Sequence, residues 1–484
     1  MSTLELQAAN AARRAELAGP AGVRGLLKNP RLMRLAAITT LGALCYGYEQ
    51  GAYSQVLVMD AFVNDPRFSR IANDASFKGW SVSYNSEISP PELRGTVVSI
   101  QQLAIVTGIC ISFWVGYGTN FISTTNSAAW RVCLAGQGIP SLALALLTLT
   151  LPYTPRWLIR KGRNAEALRT LAWLRRMPED SEIVQLEYTE IQAEALFEAE
   201  TTAERFPKLT SQDAWTQFKL QVAQFGQLFT TVHMFRRTAV ACLTQFFQQM
   251  TGIDVIVYYA PTIFQSLGLP GRTISLLAAG VIGGRNLLPR SPYITYPDLA
   301  VVFIISTLPA IATIDRIGRR PLLLAGGAGM ALMLILVAAL TATYQPDWKN
   351  PAAGWTAAAF IWLYTGFFGA SWGPVSWTVI SEVFPLSTRA HGVALAASAN
   401  WITNFVVGVV VPDMLRAITY GTYLFFLVFM LMGMAFAYWI LPETFGKSLE
   451  EMDLAFGSGE GQEDLARMER ILQGLQDKEN SKEE

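Results

Sequence analysis

Amide side chains stand beside an acid or an aromatic residue at two distant places in the chain. Gln248 and Gln249 are adjacent in one apolar run, with Asp254 shortly after them, and Asn400 precedes Trp401 in another. A primary amide both donates and accepts hydrogen bonds, and a tryptophan ring offers an apolar face. This combination is suited to binding a ligand that has both hydrogen-bonding groups and an apolar face. The alternative is structural, because glutamine and asparagine also join helices by hydrogen bonds.

Two further residues offer the same chemistry. Gln102 follows Gln101 in an earlier apolar run, and Trp377 lies in a run upstream of Asn400. Polar groups in such runs must point into a cavity or toward a partner. For the two tryptophans, Trp377 and Trp401, packing in a helix interface is the competing interpretation.

Glu49 is an acid inside the first apolar run, between Tyr48 and Gln50. An unpaired carboxylate there is costly, so the residue is a functional candidate. The alternative is a packed, neutral glutamate without a role.

Other chemistries find little support in the sequence. The four cysteines lie in apolar runs without metal-ligand spacing, and the two histidines are far apart. No nucleophile with a base and no phosphate-binding loop is recognisable, so an enzyme is not expected. The net charge is zero, so a nucleic-acid partner is not expected either.

The composition is that of a membrane protein, since 51% of the residues are hydrophobic and only 15% charged. A bilayer-spanning helix needs about 20 apolar residues. The candidate spans are Leu35–Met59, Val97–Ile122, Val132–Leu151, Thr238–Leu267, a broken pair Thr273–Gly283 and Leu299–Ile314, Pro321–Thr343, Trp355–Ile380, Val393–Val411 and Ile418–Leu441. We therefore predict an all-α polytopic membrane protein with about nine spans, counting the broken pair as one.

A short sequence repeat, each copy of which we call an echo, divides these spans into two halves. Ser-Glu-Ile-Ser-Pro-Pro-Glu-Leu-Arg-Gly at 86–95 returns as Ser-Glu-Val-Phe-Pro-Leu-Ser-Thr-Arg-Ala-His-Gly from residue 381. Each copy precedes two apolar runs. Repeated halves of this kind are typical of secondary transporters.

The halves differ in length between corresponding points. Glu49 and Asp254 each follow a glycine by two residues, and three further spans separate Asp254 from the second echo, whereas none separates Glu49 from the first. We interpret this as the loss of about 70 residues, enough for three helices. The polar segment 284–302 reads as an atypical insertion. An odd number of lost helices places the first echo on the outer side or inverts a neighbouring span.

Lysine and arginine bias predicts which connections face the cytoplasm. The predicted segments are a tail at 1–34, a truncated transmembrane half at 35–155, a cytosolic linker at 156–237, a second half at 238–442 and a charged tail at 443–484, which we expect to be solvated and partly helical. Both termini are expected in the cytoplasm. Within the linker, Ala165–Arg176 and Val184–Phe197 are predicted to be helical.

The chain resembles the sugar porter family of the major facilitator superfamily, especially its fungal members. The resemblance rests on Ser86–Gly95, Thr154–Leu158, Gln248–Ile253, Asp315–Arg320, Gly373–Trp377, Ser381-Glu382 and Pro442–Thr444. It implies the major facilitator fold with helices 2–4 missing from the first half.

The resemblance also implies roles for individual residues. Gln102, Gln248, Gln249, Trp377, Asn400 and Trp401 fall on sugar-contacting positions, and Asp254 stands where the family usually has asparagine. Glu49 falls on the proton-coupling position, and its family partner, an arginine on the fourth helix, is absent. A cytosolic gate that pairs the two halves is expected from Glu87, Arg94, Asp315, Arg316, Arg319, Arg320, Glu382, Arg389 and Glu443.

The function expected from the resemblance is proton-coupled uptake of a hexose or polyol by alternating access, at the plasma membrane. No cofactor is expected besides the proton as coupling ion, and the lipid bilayer and a small sugar are the expected partners, with no obligate protein partner. A sugar-binding sensor that does not transport is the alternative. Because the half that supplies the coupling arginine is broken, the chain as it stands is expected to be inactive.

A mis-spliced or mispredicted gene explains the deletion and the insertion together; a genuine short isoform is the alternative. We predict that sequenced transcripts carry about 70 extra codons across Ser83–Tyr84 and lack those for about Gly284–Val302. Transcripts that match this chain throughout would overturn the gene explanation.

Overall fold

Apolar runs of bilayer length form helices, since a helix satisfies its backbone N–H and C=O groups without water. The computed structural model describes residues 28–56, 91–122, 127–209, 213–267, 301–308, 317–345, 351–385, 387–444, 452, 455–457 and 460–483. Within these ranges the regular structure is α-helical and no strand occurs. The predicted all-α class is therefore confirmed.

Each part of the chain contributes its own helices. The first half contains α1 (Pro30–Val56), α2 (Pro91–Asn120), α3 (Ala128–Ala135) and α4 (Gly138–Thr148). The linker contains α5 (Pro155–Arg160), α6 (Asn164–Arg175), α7 (Glu182–Arg205) and α8 (Ala214–Gln227). The second half contains α9 (Val232–Met250), α10 (Ile253–Ser266), helical residues 301–308, α11 (Arg319–Tyr344), α12 (Pro351–Ala370), α13 (Trp372–Glu382), α14 (Arg389–Ala417) and α15 (Gly421–Trp439), and α16 (Glu460–Glu483) follows.

Four described segments are long and apolar enough to cross a bilayer. They are Ala128–Thr148, which joins α3 and α4, Arg319–Tyr344, Arg389–Ala417 and Gly421–Trp439. Two other predicted spans are each divided into two helices: Thr238–Leu267 at Thr251 and Gly252, and Trp355–Ile380 at Ser371. The predicted spans at 273–283 and in 309–314 lie outside the described residues.

The helices of the linker match the sequence prediction closely. Ala165–Arg176 was expected to be helical and α6 spans Asn164–Arg175, while Val184–Phe197 lies within the longer α7. Arg156, on α5 directly after the first half, pairs with Glu194 of α7 at 2.5 Å. This ion pair holds α5 and α7 of the linker together. We call the face of the molecule on which the linker helices lie the linker side.

α1 and α2 run in the same direction. Gly47 of α1 lies against Ile105 of α2, and Gly51 lies against Ile109, so both residue numbers increase together along the contact. The N-terminal end of α1 is on the linker side, because the Asn29 side chain donates to the Leu174 carbonyl oxygen of α6 at 2.8 Å.

α3 and α4 return in the opposite direction. The Tyr48 hydroxyl of α1 donates to the Cys133 carbonyl oxygen at 2.9 Å, while Cys45, earlier in α1, lies 3.5 Å from the hydroxyl of Ser141, later in the chain. The chain therefore comes back to the linker side before α5 begins.

The second half repeats the parallel pair of helices. Gln249 of α9 contacts Asn400 of α14, and Tyr259 of α10 contacts Gly408 further along α14. Because α9 follows the linker helix α8, α14 also begins on the linker side. The two echoes therefore introduce equivalent helices, α2 and α14.

This arrangement corrects the expectation that the first echo lies on the outer side or that a neighbouring span inverts. Pro91, within that echo, begins α2 on the same side as the start of α1. The parallel packing of α1 against α2 fixes this direction, whatever the number of helices between them.

The crossing of α1 and α2 depends on two glycines. A Cβ at Gly47 would overlap the Ile105 carbonyl group, and one at Gly108 would overlap the Leu44 carbonyl oxygen. Small residues let helix backbones approach closely in a membrane, where dispersion replaces the hydrophobic effect between helices. The close approach leaves Val106 and Ile109 buried in a cluster that also includes second-half residues such as Phe264.

We expect Gly47→Ala and Gly108→Ala each to destabilise the fold by about 1–3 kcal/mol, the usual cost of overpacking. Thermal unfolding in detergent micelles measures the loss. Gly118→Ala is the matched control, because no described atom lies within 4 Å of a Cβ at that position of α2. Equal melting temperatures for the Gly47 and Gly118 variants would contradict this account of the crossing.

Candidate functional site

A buried amide cluster joins α9 to α14, with Asn400 at its centre. The Asn400 Nδ2 donates to Oε1 of Gln245 at 2.7 Å and to Oε1 of Gln248 at 2.8 Å. Its Oδ1 accepts from Nε2 of Gln249 at 2.9 Å. Gln248 and Gln249 are 6% and 4% exposed, so both point into the protein and away from lipid.

The cluster continues one helical turn along α14 to Asn404. The Asn404 Nδ2 donates to Oε1 of Gln249 at 3.4 Å and also to Oδ2 of Asp254 on α10. Its Oδ1 accepts from the Tyr258 hydroxyl at 3.1 Å. Asp254 is therefore part of the same network as the paired glutamines.

The first half reaches this network through α1. The Gln50 Nε2 donates to the Tyr258 hydroxyl at 3.1 Å and to the Tyr46 hydroxyl at 2.7 Å. Tyr46 also meets Trp401 edge to face, with ring centroids 5.5 Å apart. The amide cluster thus lies where the two halves touch, with Trp401 beside it.

Glu49 lies half-buried on the face of α1 that points toward the second half. Tyr46 precedes it by three residues and Gln50 follows it, and both contact second-half residues. With the described residues, Glu49 forms neither a hydrogen bond nor an ion pair.

Two predicted site residues stand differently. Trp377 is half-buried and packs against a linker-side cluster that includes Ile380 and Ala396. It follows Ser376, whose carbonyl oxygen lies 3.5 Å from Nε2 of Gln245. Gln102 belongs to α2, and its side chain lies outside the described residues.

The sequence analysis missed several members of the network. Gln245 and Asn404 lie one helical turn from Gln249 and Asn400, and Tyr258 lies one turn after Asp254. That spacing of three or four residues on one helix face was the available signal. Gln50 and Tyr46 were recognisable only by their place on the face of α1 that carries Glu49.

A second group of predicted residues meets on the linker side, around Glu443. Gly318, with φ of 95°, precedes α11 and turns its first N–H groups toward the Glu443 carboxylate. The backbone N–H of Arg319 donates at 2.9 Å and that of Arg320 at 3.0 Å. A helix N-terminus favours an anion there, since its first N–H groups have no partner within the helix.

The Arg319 side chain extends this group to Glu382 at the end of α13. Its guanidinium donates to Oε1 of Glu382 at 2.7 Å and to Oε2 at 3.2 Å, a bidentate pair. The Thr444 hydroxyl also donates to this carboxylate, at 2.5 Å. We call Gly318, Arg319, Glu382, Glu443 and Thr444 the linker-side charge cluster.

The remaining predicted gate residues add little to this cluster. Arg320 contacts Tyr438 of α15, and Arg389 donates to the nearby Phe384 carbonyl oxygen at 3.3 Å. Glu87, Asp315, Arg316 and the side chain of Arg94 lie outside the described residues. The contacts described here join α11, α13 and residues 443–444, so pairing across the halves stays a prediction.

The charged tail is packed, although it was expected to be solvated. Met468 and Ile471 of α16 are buried against Ala193 and Phe197 of α7. Asp464 is also buried, at 4% exposure, and its Oδ2 accepts from the Ser387 backbone N–H at 3.2 Å. α16 therefore bridges the linker and the turn that precedes α14.

The fold is that of a polytopic helical membrane protein built of two related halves. The family model described as "Sugar (and other) transporter" matches residues 75–456. The chain therefore belongs to the sugar transporter family. This match begins after α1. Helix α1 is connected to the matched region by its contacts with α2.

Curated relatives agree with the family. A probable quinate permease of Aspergillus fumigatus is 32% identical over 380 residues, covering 78% of this chain and 64% of the relative. The quinate permease of Neurospora terricola is 31% identical over 388 residues, covering 77% of this chain and 65% of the relative. The relatives are fungal, as the resemblance predicted, and the chain spans about two thirds of their length.

Solved structures agree with the fold. The proton:xylose symporter XylE, bound to 6-bromo-6-deoxy-D-glucose, is 23% identical, with a TM-score of 0.57 and coverage of 87% of each chain. The inward-open xylose transporter of E. coli is 19% identical, with a TM-score of 0.58 and coverage of 88% of this chain and 99% of the other. The predicted major facilitator fold is therefore confirmed.

The pKa of Asp464 carries a prediction for the docking of α16. Burial raises this pKa above 3.8, and the Ser387 hydrogen bond with the charges of Arg205 and Arg467 opposes the rise. At a pH between 3.8 and the raised pKa, Asp464 is protonated to a greater extent when α16 is docked than when it is free. Docking should therefore strengthen as the pH falls through that window and weaken as it rises.

Asp464→Asn keeps an acceptor for Ser387 and removes the ionisation. We expect this variant to lose the pH dependence and to dock at neutral pH at least as firmly as the native chain. Hydrogen exchange of residues 460–483, corrected for the intrinsic rate at each pH, measures it. Exposed Glu463→Gln is the control, and faster exchange in Asp464→Asn than in the native chain at neutral pH would contradict the prediction.

Proposed function

We propose that the full-length form of this protein transports a small polyhydroxylated ring, a hexose or related polyol, by alternating access coupled to protons. The observation that carries the proposal is the amide cluster centred on Asn400 at the contact between the halves. Its four amides, of Gln245, Gln248, Gln249 and Asn400, are buried, and each of the three glutamines forms a hydrogen bond with Asn400.

The cluster is suited to binding hydroxyl groups, because a ligand hydroxyl can replace an amide as a hydrogen-bond partner. A hydroxyl donates one hydrogen bond and accepts two, so it can replace an amide partner without leaving a buried group unsatisfied. A ligand with one hydroxyl can replace only one of the amide hydrogen bonds that its binding breaks. A ring with several hydroxyls replaces many at once, and Trp401 and Tyr46 offer a face for its carbons.

Proton coupling is assigned to Glu49. An acid within a membrane-spanning helix binds a proton more tightly when its surroundings exclude water. Its position on α1, between residues that touch Tyr258 and Trp401, lets its charge state bias the contact between the halves. Protonation would then favour the state in which the halves close over the ligand.

The relatives named as quinate permeases suggest a polyhydroxylated ring that also carries a carboxylate. An ionised Asp254 in the network would repel an anion, and on that basis we propose a neutral ligand here. Hexose, polyol and quinate are therefore the three ligands to compare, and we expect quinate to be the poorest.

We place the protein in the plasma membrane with both termini in the cytoplasm, so that the linker side is the cytosolic side. No cofactor is assigned besides the coupling proton. The chain in its present form lacks the arginine that the resemblance pairs with Glu49, and we assign it no transport activity.

Uptake of labelled hexose, polyol and quinate by transport-deficient yeast tests the proposal. The present chain should show no uptake. A form with the missing codons, taken from transcripts, should accumulate hexose or polyol in an inward proton gradient, and an uncoupler should abolish the accumulation. Robust uptake by the present chain would overturn its assigned inactivity.

Two variants of the restored form separate binding from coupling. Gln249→Ala should raise KM about tenfold, the effect of losing one or two hydrogen bonds to the ligand. Glu49→Gln should abolish accumulation against a gradient and leave exchange of labelled for unlabelled ligand. Ser398→Ala, exposed on α14 outside the cluster, is the control. A restored form that takes up none of the three ligands would overturn the transport proposal.

A further inference from the structure

An exposed apolar strip runs along the linker helix α8 onto the start of α9. Trp215, Phe218 and Val222 of α8 are 65%, 57% and 55% exposed, and Phe229 and Phe235 follow at 55% and 54%. At 100° per residue the first three lie on one face of α8. We call these five residues the aromatic strip.

The rings of the strip are ordered against one another. Trp215 and Phe218 stack with centroids 5.6 Å apart, and Lys219 Nζ lies 5.3 Å from the centre of the Trp215 ring. Phe229 and Phe235 lie 6.4 Å apart and carry the strip across the turn between the helices. The apolar surface is therefore continuous from α8 to α9.

The other faces of α8 are held by the protein. Leu220 is buried, Gln221 Oε1 lies 3.3 Å from Nε2 of His391 on α14, and Phe225 meets the same ring edge to face at 5.1 Å. These contacts fix the rotation of α8 about its own axis, and that rotation turns the strip outward.

We infer that the aromatic strip rests in the interface of the bilayer leaflet on the linker side. The strip is continuous with the outer surface of α9, where Leu243 is exposed further along, and α9 belongs to a membrane-spanning half. A helix with tryptophan and phenylalanine on one face and lysine beside them is typical of one that lies at the headgroup level. Lys219 and Arg236 are exposed where anionic headgroups would lie.

This placement gives the linker a function beyond connection. Because α8 is anchored both in the leaflet and on α14, it fixes the height at which α14 begins relative to the membrane. The placement follows from the membrane-spanning fold and needs no transport activity.

Site-specific fluorescence quenching in nanodiscs of phosphatidylcholine and phosphatidylserine tests the inference, since both faces of a nanodisc are accessible. The full chain carries one introduced cysteine, Phe218→Cys or Val222→Cys, labelled with an environment-sensitive nitrobenzoxadiazole dye. The signal of the labelled native chain is subtracted, because its four cysteines remain. Gln217→Cys, exposed on another face of α8, is the matched control.

The inference predicts that the two strip labels are quenched severalfold more by a nitroxide near the lipid headgroup than by aqueous iodide, with the reverse for Gln217→Cys. Strip labels that iodide quenches as strongly as the control would overturn it. Labels that neither agent quenches would overturn it too, because a second copy or another protein would then cover the strip.

A double substitution tests whether the strip itself makes the contact. Trp215→Asp with Phe218→Asp changes two exposed side chains, so folding should be retained, and the label at Val222→Cys should move from lipid to water. A label that stays quenched by lipid would show that the strip does not hold the helix there and would overturn the inference.

Discussion

The rest of the structure depends on one parallel helix contact that occurs in both halves. In each half the first spanning helix packs against the helix that follows the echo, α1 against α2 and α9–α10 against α14. In a bilayer, apolar side chains gain little by leaving lipid for protein, so helices need close packing or hydrogen bonds to associate. The two halves meet this need differently. α1 and α2 approach through Gly47 and Gly108, whereas α9–α10 and α14 are joined by amides. The repeat therefore conserves the geometry and replaces the chemistry that holds it.

That difference assigns separate tasks to the two halves. A contact between backbones at glycine is tight and offers no polar group to a guest, so α1 and α2 form a support. A contact made of amides is polar and exchangeable, so α9–α10 and α14 are the surface to which we assign ligand recognition in the proposed function. α1 takes part in both, because its glycines face α2 and its Gln50 and Tyr46 face the second half.

Much of this was predictable from the sequence, and the limits have physical reasons. Apolar runs and the echo at Ser86 and Ser381 predicted the helical class and the paired halves. Gln248 and Gln249, which were predicted to point into the protein, do so as members of the amide cluster, and their role in ligand binding stays a prediction. The side of the first echo was predicted wrongly, because counting crossings assumes that each helix reverses the last, whereas packing of α2 against α1 decides the direction. The docking of α16 was missed because Met468 and Ile471 have a helical spacing whose partner, α7, lies far away in the chain.

The linker-side charge cluster has one consequence for how the protein can vary. Glu443 accepts hydrogen bonds from the main-chain N–H groups of residues 319 and 320. Every residue except proline has such a group, so these bonds do not depend on the side chains at the two positions. Exchanging either arginine would leave those bonds in place, whereas a residue with a Cβ at position 318 would strain the left-handed turn and crowd the carboxylate. Among these residues, Gly318 should therefore tolerate substitution least in evolution.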